Sequence, residues 1–215
     1  MMGLLIKDFK LLKQQRNMLL IMIAISLMLV ATGNDVSFVM SYLTFIATFF
    51  VTSTISYDEY NKSNIFLFTL PVSRKEYVQE KYFLGILVCS SIWFLTTVLC
   101  TFYQMNNVLD FAMLEWLGMA LLILCIPLIT LSFMIPTQLK YGGEKGRIAM
   151  IAVVGIAFII GFGFIMLCQY LNIDVDALLN SVSNTGVVIG GVVLTAIVGL
   201  ISYCVSKKVM DNKEF

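Results

Sequence analysis

Six stretches of this 215-residue chain contain no Asp, Glu, Lys or Arg and are each long enough to cross a bilayer: 17–34, 36–57, 82–109, 116–139, 148–173 and 177–206. A helix rising ~1.5 Å per residue needs about 18–20 apolar residues to span ~30 Å of hydrocarbon. Inside hydrocarbon every backbone polar group must find its partner within the protein, which for isolated runs of this kind leaves only the helix. The pattern predicts an all-α polytopic membrane protein. Its expected helices run over about 18–33, 37–57, 83–105, 116–138, 148–171 and 185–206, in one transmembrane domain over 1–215. Composition agrees, with 60% hydrophobic and 13% charged residues, where a soluble domain carries about a quarter charged.

Basic residues set the orientation. The segments before the first span, between the second and third, between the fourth and fifth, and after the sixth hold four, four, three and three Lys or Arg, the whole complement of 14. The other connections carry only Asp35, Asp110, Glu115, Asp174 and Asp176. The positive-inside rule then predicts both termini in the cytoplasm. Basic residues, the apolar run 18–30 and Ala31-Thr32-Gly33 also have the form of a secretory leader, but the expectation is a retained anchor.

Several chemistries are excluded. The chain has no histidine, which removes Ser–His proteolysis, His-ligated zinc and His-ligated haem. Cys89, Cys100, Cys125, Cys168 and Cys204 are odd in number, lie in apolar runs and form no C-x-x-C. They read as small buried hydrophobes. A net charge of +1 gives no field for nucleic acid.

Residues 2–16 place Leu5, Phe9 and Leu12 at helical spacing with Leu4 and Leu11 beside them, and Lys7, Lys10, Lys13 and Gln14 elsewhere. This predicts an amphipathic helix lying in the membrane interface, the plain alternative being an ordinary lead-in to the first span. In the longest polar segment, 58–81, Pro71 stops any preceding helix. Ser73 and Glu76 then form an S-x-x-E capping box with Val72 and Tyr77 at the staple positions. A helix is predicted to start at 74 and continue into the third span. Glu76 and Glu80, four apart, fall on one face, suited to a basic partner; otherwise the segment is a solvated loop.

The second span carries Ser37, Ser41, Thr44, Thr48 and Thr52 at spacings of four, three, four and four. Close helix packing explains such a stripe, and lining a translocation path is the alternative. Gly191, Thr195 and Gly199, with Gly186 and Gly190, form a similar surface on the sixth span. Pro127 and Pro136 lie in the fourth, and Pro127 is expected to kink it near mid-membrane.

Leu4-Leu5-Ile6-Lys7-Asp8-Phe9, Tyr57-Asp58-Glu59 through Asn61, Thr69-Leu70-Pro71-Val72-Ser73-Arg74 and Lys81-Tyr82, in this order on a six-span layout, resemble the ABC-2 type permeases of Firmicutes. They are similar to the permeases of staphylococcal exporters for amphipathic peptide toxins and of antimicrobial-peptide resistance and immunity transporters. The resemblance implies that 58–81, with Asp58, Glu59, Pro71, Ser73, Arg74, Glu76 and Glu80, couples to a separate ATPase subunit. It also implies a bacterial cell membrane location and a second permease chain, the same or related. ATP and Mg²⁺ would bind to the ATPase partner, with no cofactor on this chain.

The residues support that picture independently. Tyr141-Gly142-Gly143-Glu144-Lys145-Gly146-Arg147 lacks the spacing and the Ser/Thr of a phosphate-binding loop. No charge interrupts a span, so no ion relay offers itself. Energy must come from a partner, and a charge-free interior suits amphipathic or hydrophobic cargo. The competing classes are a non-transporting membrane scaffold or immunity protein, and an intramembrane enzyme. The enzyme lacks both paired Asp and Ser–His within the spans.

Overall fold

A computed structural model describes residues 2–31, 35–60, 73–107, 113–170 and 184–212. They form helices α1 (Met2–Gln14), α2 (Arg16–Ala31), α3 (Val36–Tyr60), α4 (Arg74–Asn107), α5 (Met113–Tyr170) and α6 (Asn184–Asp211). Four helical stretches among the described residues are long and apolar enough to cross a membrane: Val36–Glu59, Arg74–Met105, Met113–Gly142 and Thr185–Asp211. A shorter apolar stretch, Arg16–Ser26, lies in α2. Pro71, Val72 and the rest of 61–72, half of the 58–81 connection, together with Asp110, Asp174 and Asp176, lie outside the described residues.

α4 begins at Arg74, where the capping box places it, and its 34 residues extend about 51 Å at 1.5 Å per residue. That exceeds the hydrocarbon thickness, so the charged first turns, before the uncharged run from Tyr82, project beyond it.

α5 departs from expectation. It is continuous through Pro127 and Pro136, and the only residue inside it without helical dihedrals is Gly142, at φ 84° and ψ 173°. The break between the expected fourth and fifth spans is therefore one glycine in place of a polar connection over 140–147, while Pro127 keeps helical dihedrals. The Gly142 conformation is essentially reserved for glycine. Pro136 is accommodated locally. A proline frees the carbonyl four residues earlier, here that of Ser132, and Ser202 of α6 donates its hydroxyl to that oxygen.

α3 is the central helix, touching α1, α2, α4 and α5, while α6 packs on α5 and α4. Ala47, Phe50, Val51 and Ile55 of α3 meet Leu84 and Cys89 of α4 and Leu131 and Ile135 of α5 in the main core. Gly85 lets α4 approach, since an added Cβ would stand 3.1 Å from Leu131 Cδ1 and 3.5 Å from Val51 Cγ1. A smaller cluster of Met40, Cys100, Trp116 and Ala120 closes the other end. There Trp93 Nε1 donates to the Ala120 carbonyl at 2.7 Å and Trp116 Nε1 to Thr101 Oγ1 at 2.9 Å.

α1 buries Leu4, Asp8 and Leu12, one row at spacing four. The inward face is thus rotated from the expected one: Phe9 and Ile6 are exposed and Leu5 is partly buried. An acid occupies the middle of the buried row.

Candidate functional site

The segments that carry the described basic residues converge on one end of the bundle. Asp8 of α1 meets Lys81 of α4, Lys7 meets Asp58 of α3, and Arg74 of α4 meets the last turn of α6. Glu59 of α3 lies against Gly142 of α5. No other part of the described structure concentrates charge in this way.

Local sequence fixes the start of α4. The Glu76 amide donates to Ser73 Oγ at 3.2 Å, and the Ser73 amide donates to Glu76 Oε2 at 3.0 Å, so two amides at the helix start are satisfied reciprocally. Arg74 Nη1 donates to the carbonyls of Met210 at 3.2 Å and Asp211 at 2.8 Å. A cation at the carbonyl-rich end of α6 complements that helix's dipole. Two turns on, the Tyr82 hydroxyl joins Ser202 and, at 2.8 Å, Ser206 of α6. The first two turns of α4 are thereby fastened to the end of α6.

The inward face of the same turns carries Tyr77, Glu80 and Lys81, all essentially without exposure. Lys81 Nζ pairs with Asp8 Oδ2, lies 3.1 Å from Asp58 Oδ2 and donates to Thr54 Oγ1 at 3.2 Å. Tyr77 donates its hydroxyl to Asp58 Oδ2 at 3.0 Å, and its ring faces the Lys81 ammonium at 5.1 Å. Lys7, half-buried, donates to Asp58 Oδ1 at 2.6 Å and stands 3.3 Å from Asp8 Oδ1. On α3, Val51, Thr54, Ile55 and Asp58 share one face at spacings of three, one and three. The row that packs the core thus ends in the acid that receives the cluster.

Such a cluster is a mechanical joint rather than a reaction centre. Its ion pairs run across three helices, so withdrawing one charge weakens contacts on the others. Breaking a buried pair in this way costs about 3–5 kcal/mol, although the intact pair adds little net stability. Among the described residues no group of His, Cys, Asp and Glu is placed to hold a metal.

Of the residues singled out in the sequence, Asp58 lies inside the cluster. Glu59 lies beside it, with its carboxylate where a Cβ on Gly142 would fall. Ser73, Arg74 and Glu76 build the helix start. Glu80 was expected on a face offered to a partner; it is buried instead, because α1 covers that side of α4. Of the other cluster members, Tyr77 was placed only at the staple position, Asp8 and Lys81 only within the family resemblance, and Thr54 not at all. One signal was available: Asp8 is the only acid before Asp35, and it sits midway between Leu4 and Leu12.

The hydroxyl stripe and the glycine face lie elsewhere. Thr44, Thr48 and Thr52 are buried and donate to their own helix at Met40, Phe45 and Thr48. Ser41 donates to the Ser37 carbonyl, and Thr195 to that of Gly191. A Cβ on Gly191 would stand 2.9 Å from Leu122 Cδ2, and one on Gly199 3.8 Å from Ser132 Oγ, so both glycines face α5.

Comparisons with curated proteins and with solved structures returned no match. A protein-family model described as "ABC-2 family transporter protein" matches residues 3–211, nearly the whole chain.

Proposed function

The chain belongs to the ABC-2 family of transporter proteins, and from that membership we propose that it is the permease of an ATP-driven exporter moving amphipathic or hydrophobic cargo, such as peptides or lipid-like molecules, out of the cell. The family makes it the membrane component of an ABC transporter, working with an ABC ATPase subunit that binds ATP and Mg²⁺. In our reading it crosses a bacterial cell membrane six times with both termini in the cytoplasm, beside a second permease chain, the same or related. Export of amphipathic peptides, including antimicrobial ones, suits an interior without charges.

One observation carries the mechanical part of the proposal. The charged end ties α1, α3 and α4 through buried ion pairs, and α4 to α6 through Arg74. Motion delivered to the connection that enters α4 at Ser73 would reach four helices together. The partner-facing surface then consists of Glu76, Lys75 and the connection preceding Ser73, while Glu80 and Asp58 transmit from within.

The test is reconstitution with the ATPase in vesicles, following a fluorescent amphipathic peptide. Accumulation on the face opposite the ATPase, requiring ATP and both subunits, is expected. A chain that assembles with no ATPase, or cargo that moves toward the ATPase side, would overturn the proposal.

A further inference from the structure

Hydrogen-bond accounting at the charged end leaves three buried oxygens over. An ammonium has three N–H donors, and those of Lys81 are directed at Asp8 Oδ2, Asp58 Oδ2 and Thr54 Oγ1. None remains for Glu80, whose Oε2 stands 3.7 Å from Nζ. Both Glu80 oxygens and Asp8 Oδ1 are buried with no hydrogen-bond donor, and both side chains are wholly shielded. Glu80 and Asp8 both flank the Lys81 ammonium, Glu80 Oε2 at 3.7 Å. Two carboxylates therefore flank one ammonium with oxygens to spare, and the nearest other donor, the Lys7 ammonium 3.3 Å from Asp8 Oδ1, makes no hydrogen bond to them.

Charge gives the same answer. Lys7 and Lys81 bring two positive charges to the cluster, and Asp8, Asp58 and Glu80 bring three negative ones. Leaving one negative charge in excess in a shielded site is costly. We propose that Glu80 binds a proton in the folded protein and donates it to Asp8 Oδ1, making the α1–α4 contact a site for one exchangeable proton.

A single proton satisfies one oxygen on each side and balances the cluster. A metal ion fits poorly, because two ammoniums stand beside the gap and hard divalent cations demand six or more oxygens. The charged groups acting on Glu80 are Lys81 of its own helix and Asp8 and Lys7 of α1. Asp58 of α3 and Tyr77 of α4 complete the surroundings. Among the described residues, α5 and α6 bring no ion pair to the cluster, and Asp211 of α6 meets Arg74 through its carbonyl. Loss of the proton leaves Asp8 and Glu80 in direct repulsion and loosens α1 from α4. The helix joint is then sensitive to pH in the compartment this end faces. The inference is independent of cargo and of the direction of transport.

Infrared spectroscopy of the purified full chain in detergent tests it, with the proton as ligand. At neutral pH the wild type should show the carbonyl band of a buried carboxylic acid, which titrates away as pH is raised. Glu80→Gln should lose the band while melting no lower than the wild type, because a neutral amide replaces a neutral acid. Asp8→Asn should lose it too, although Glu80 is intact, because the new amide donates to an ionised Glu80. If Glu80→Gln fails to fold, the wild-type and Asp8→Asn spectra still decide. No acid band in the folded wild type, or a band that survives Asp8→Asn unchanged, would overturn the proposal. So would a folded Glu80→Gln that melts as low as Lys81→Met.

Discussion

The middle and the last turns of α3 bury polar side chains by opposite means. In the middle, Thr44, Thr48 and Thr52 return their hydroxyls to carbonyls three or four residues back on the same helix. Each is satisfied without help, so α3 can shift against its neighbours there without stranding a polar group. Seven positions after Val51, Asp58 takes bonds from outside its helix, from Lys7 of α1 and from Tyr77 and Lys81 of α4. No shift of α3 at that end leaves the bonding intact. Self-satisfied polarity permits sliding, and mutually satisfied polarity clamps. One helix therefore joins an end cross-linked by charge to a middle packed on the apolar core.

Substitutions can break or sharpen this contrast. The largest effect is expected for Lys81→Met, which takes the central ammonium from Asp8 and Asp58 in a shielded site and leaves Lys7 as the cation beside both. Removing one partner of a buried pair costs about 3–5 kcal/mol, so thermal unfolding in detergent should show severe loss of folded protein. The exposed Lys13 should tolerate the same change within about 0.5 kcal/mol. Gly142→Ala comes next. Backbone strain of this kind is worth about 1–3 kcal/mol, and the new methyl also displaces the Glu59 carboxylate. Pairing it with Glu59→Ala should recover the steric part and leave the strain.

Ser73→Ala removes one half of the capping box at about 1 kcal/mol, fraying the start of α4 while the spans stay inserted. Limited proteolysis near residue 73 should detect it before any change in melting. Thr48→Val is the smallest. Its hydroxyl bonds only to the Phe45 carbonyl, and the near-isosteric exchange should stay within about 0.5 kcal/mol in the same melting assay. A cost near that of Ser73→Ala would mean the stripe is bound to something beyond its own helix.

Ease of reading from sequence followed distance along the chain. The capping box was legible because Ser73 and Glu76 are three residues apart and each needs only the other. The apolar runs were legible because hydrocarbon constrains composition residue by residue, and α3, α4 and α6 stand where the runs placed them. The ion cluster was not, since Asp8 and Lys81 are 73 positions apart and nothing local to either names its partner. Glu80 was misplaced for the same reason. On α4 alone it shares a face with Glu76, and only α1 buries it. The break in α5 falls inside the 140–147 connection expected between the fourth and fifth spans, but it is one residue, Gly142, rather than a loop. Tyr141-Gly142-Gly143 carries the signal for so short a break, a backbone position only glycine fills. Pro136 shows why prolines mislead in a bundle: Ser202, from another helix, takes up the bond it frees.

The central claim is that the charged end transmits the ATPase's motion to the spans. Asp58→Asn tests it most directly, because it keeps the size of the side chain and an oxygen for Tyr77 while weakening both ammonium contacts. In the reconstituted complex, cargo moved per ATP hydrolysed should be compared between wild type, Asp58→Asn and Thr48→Val. The account predicts that Asp58→Asn retains the ATPase and its hydrolysis yet moves about tenfold less cargo per ATP, within the 1–3 kcal/mol usual for coupling between sites. Thr48→Val should match the wild type. An Asp58→Asn complex that moves as much cargo per ATP as the wild type would contradict it.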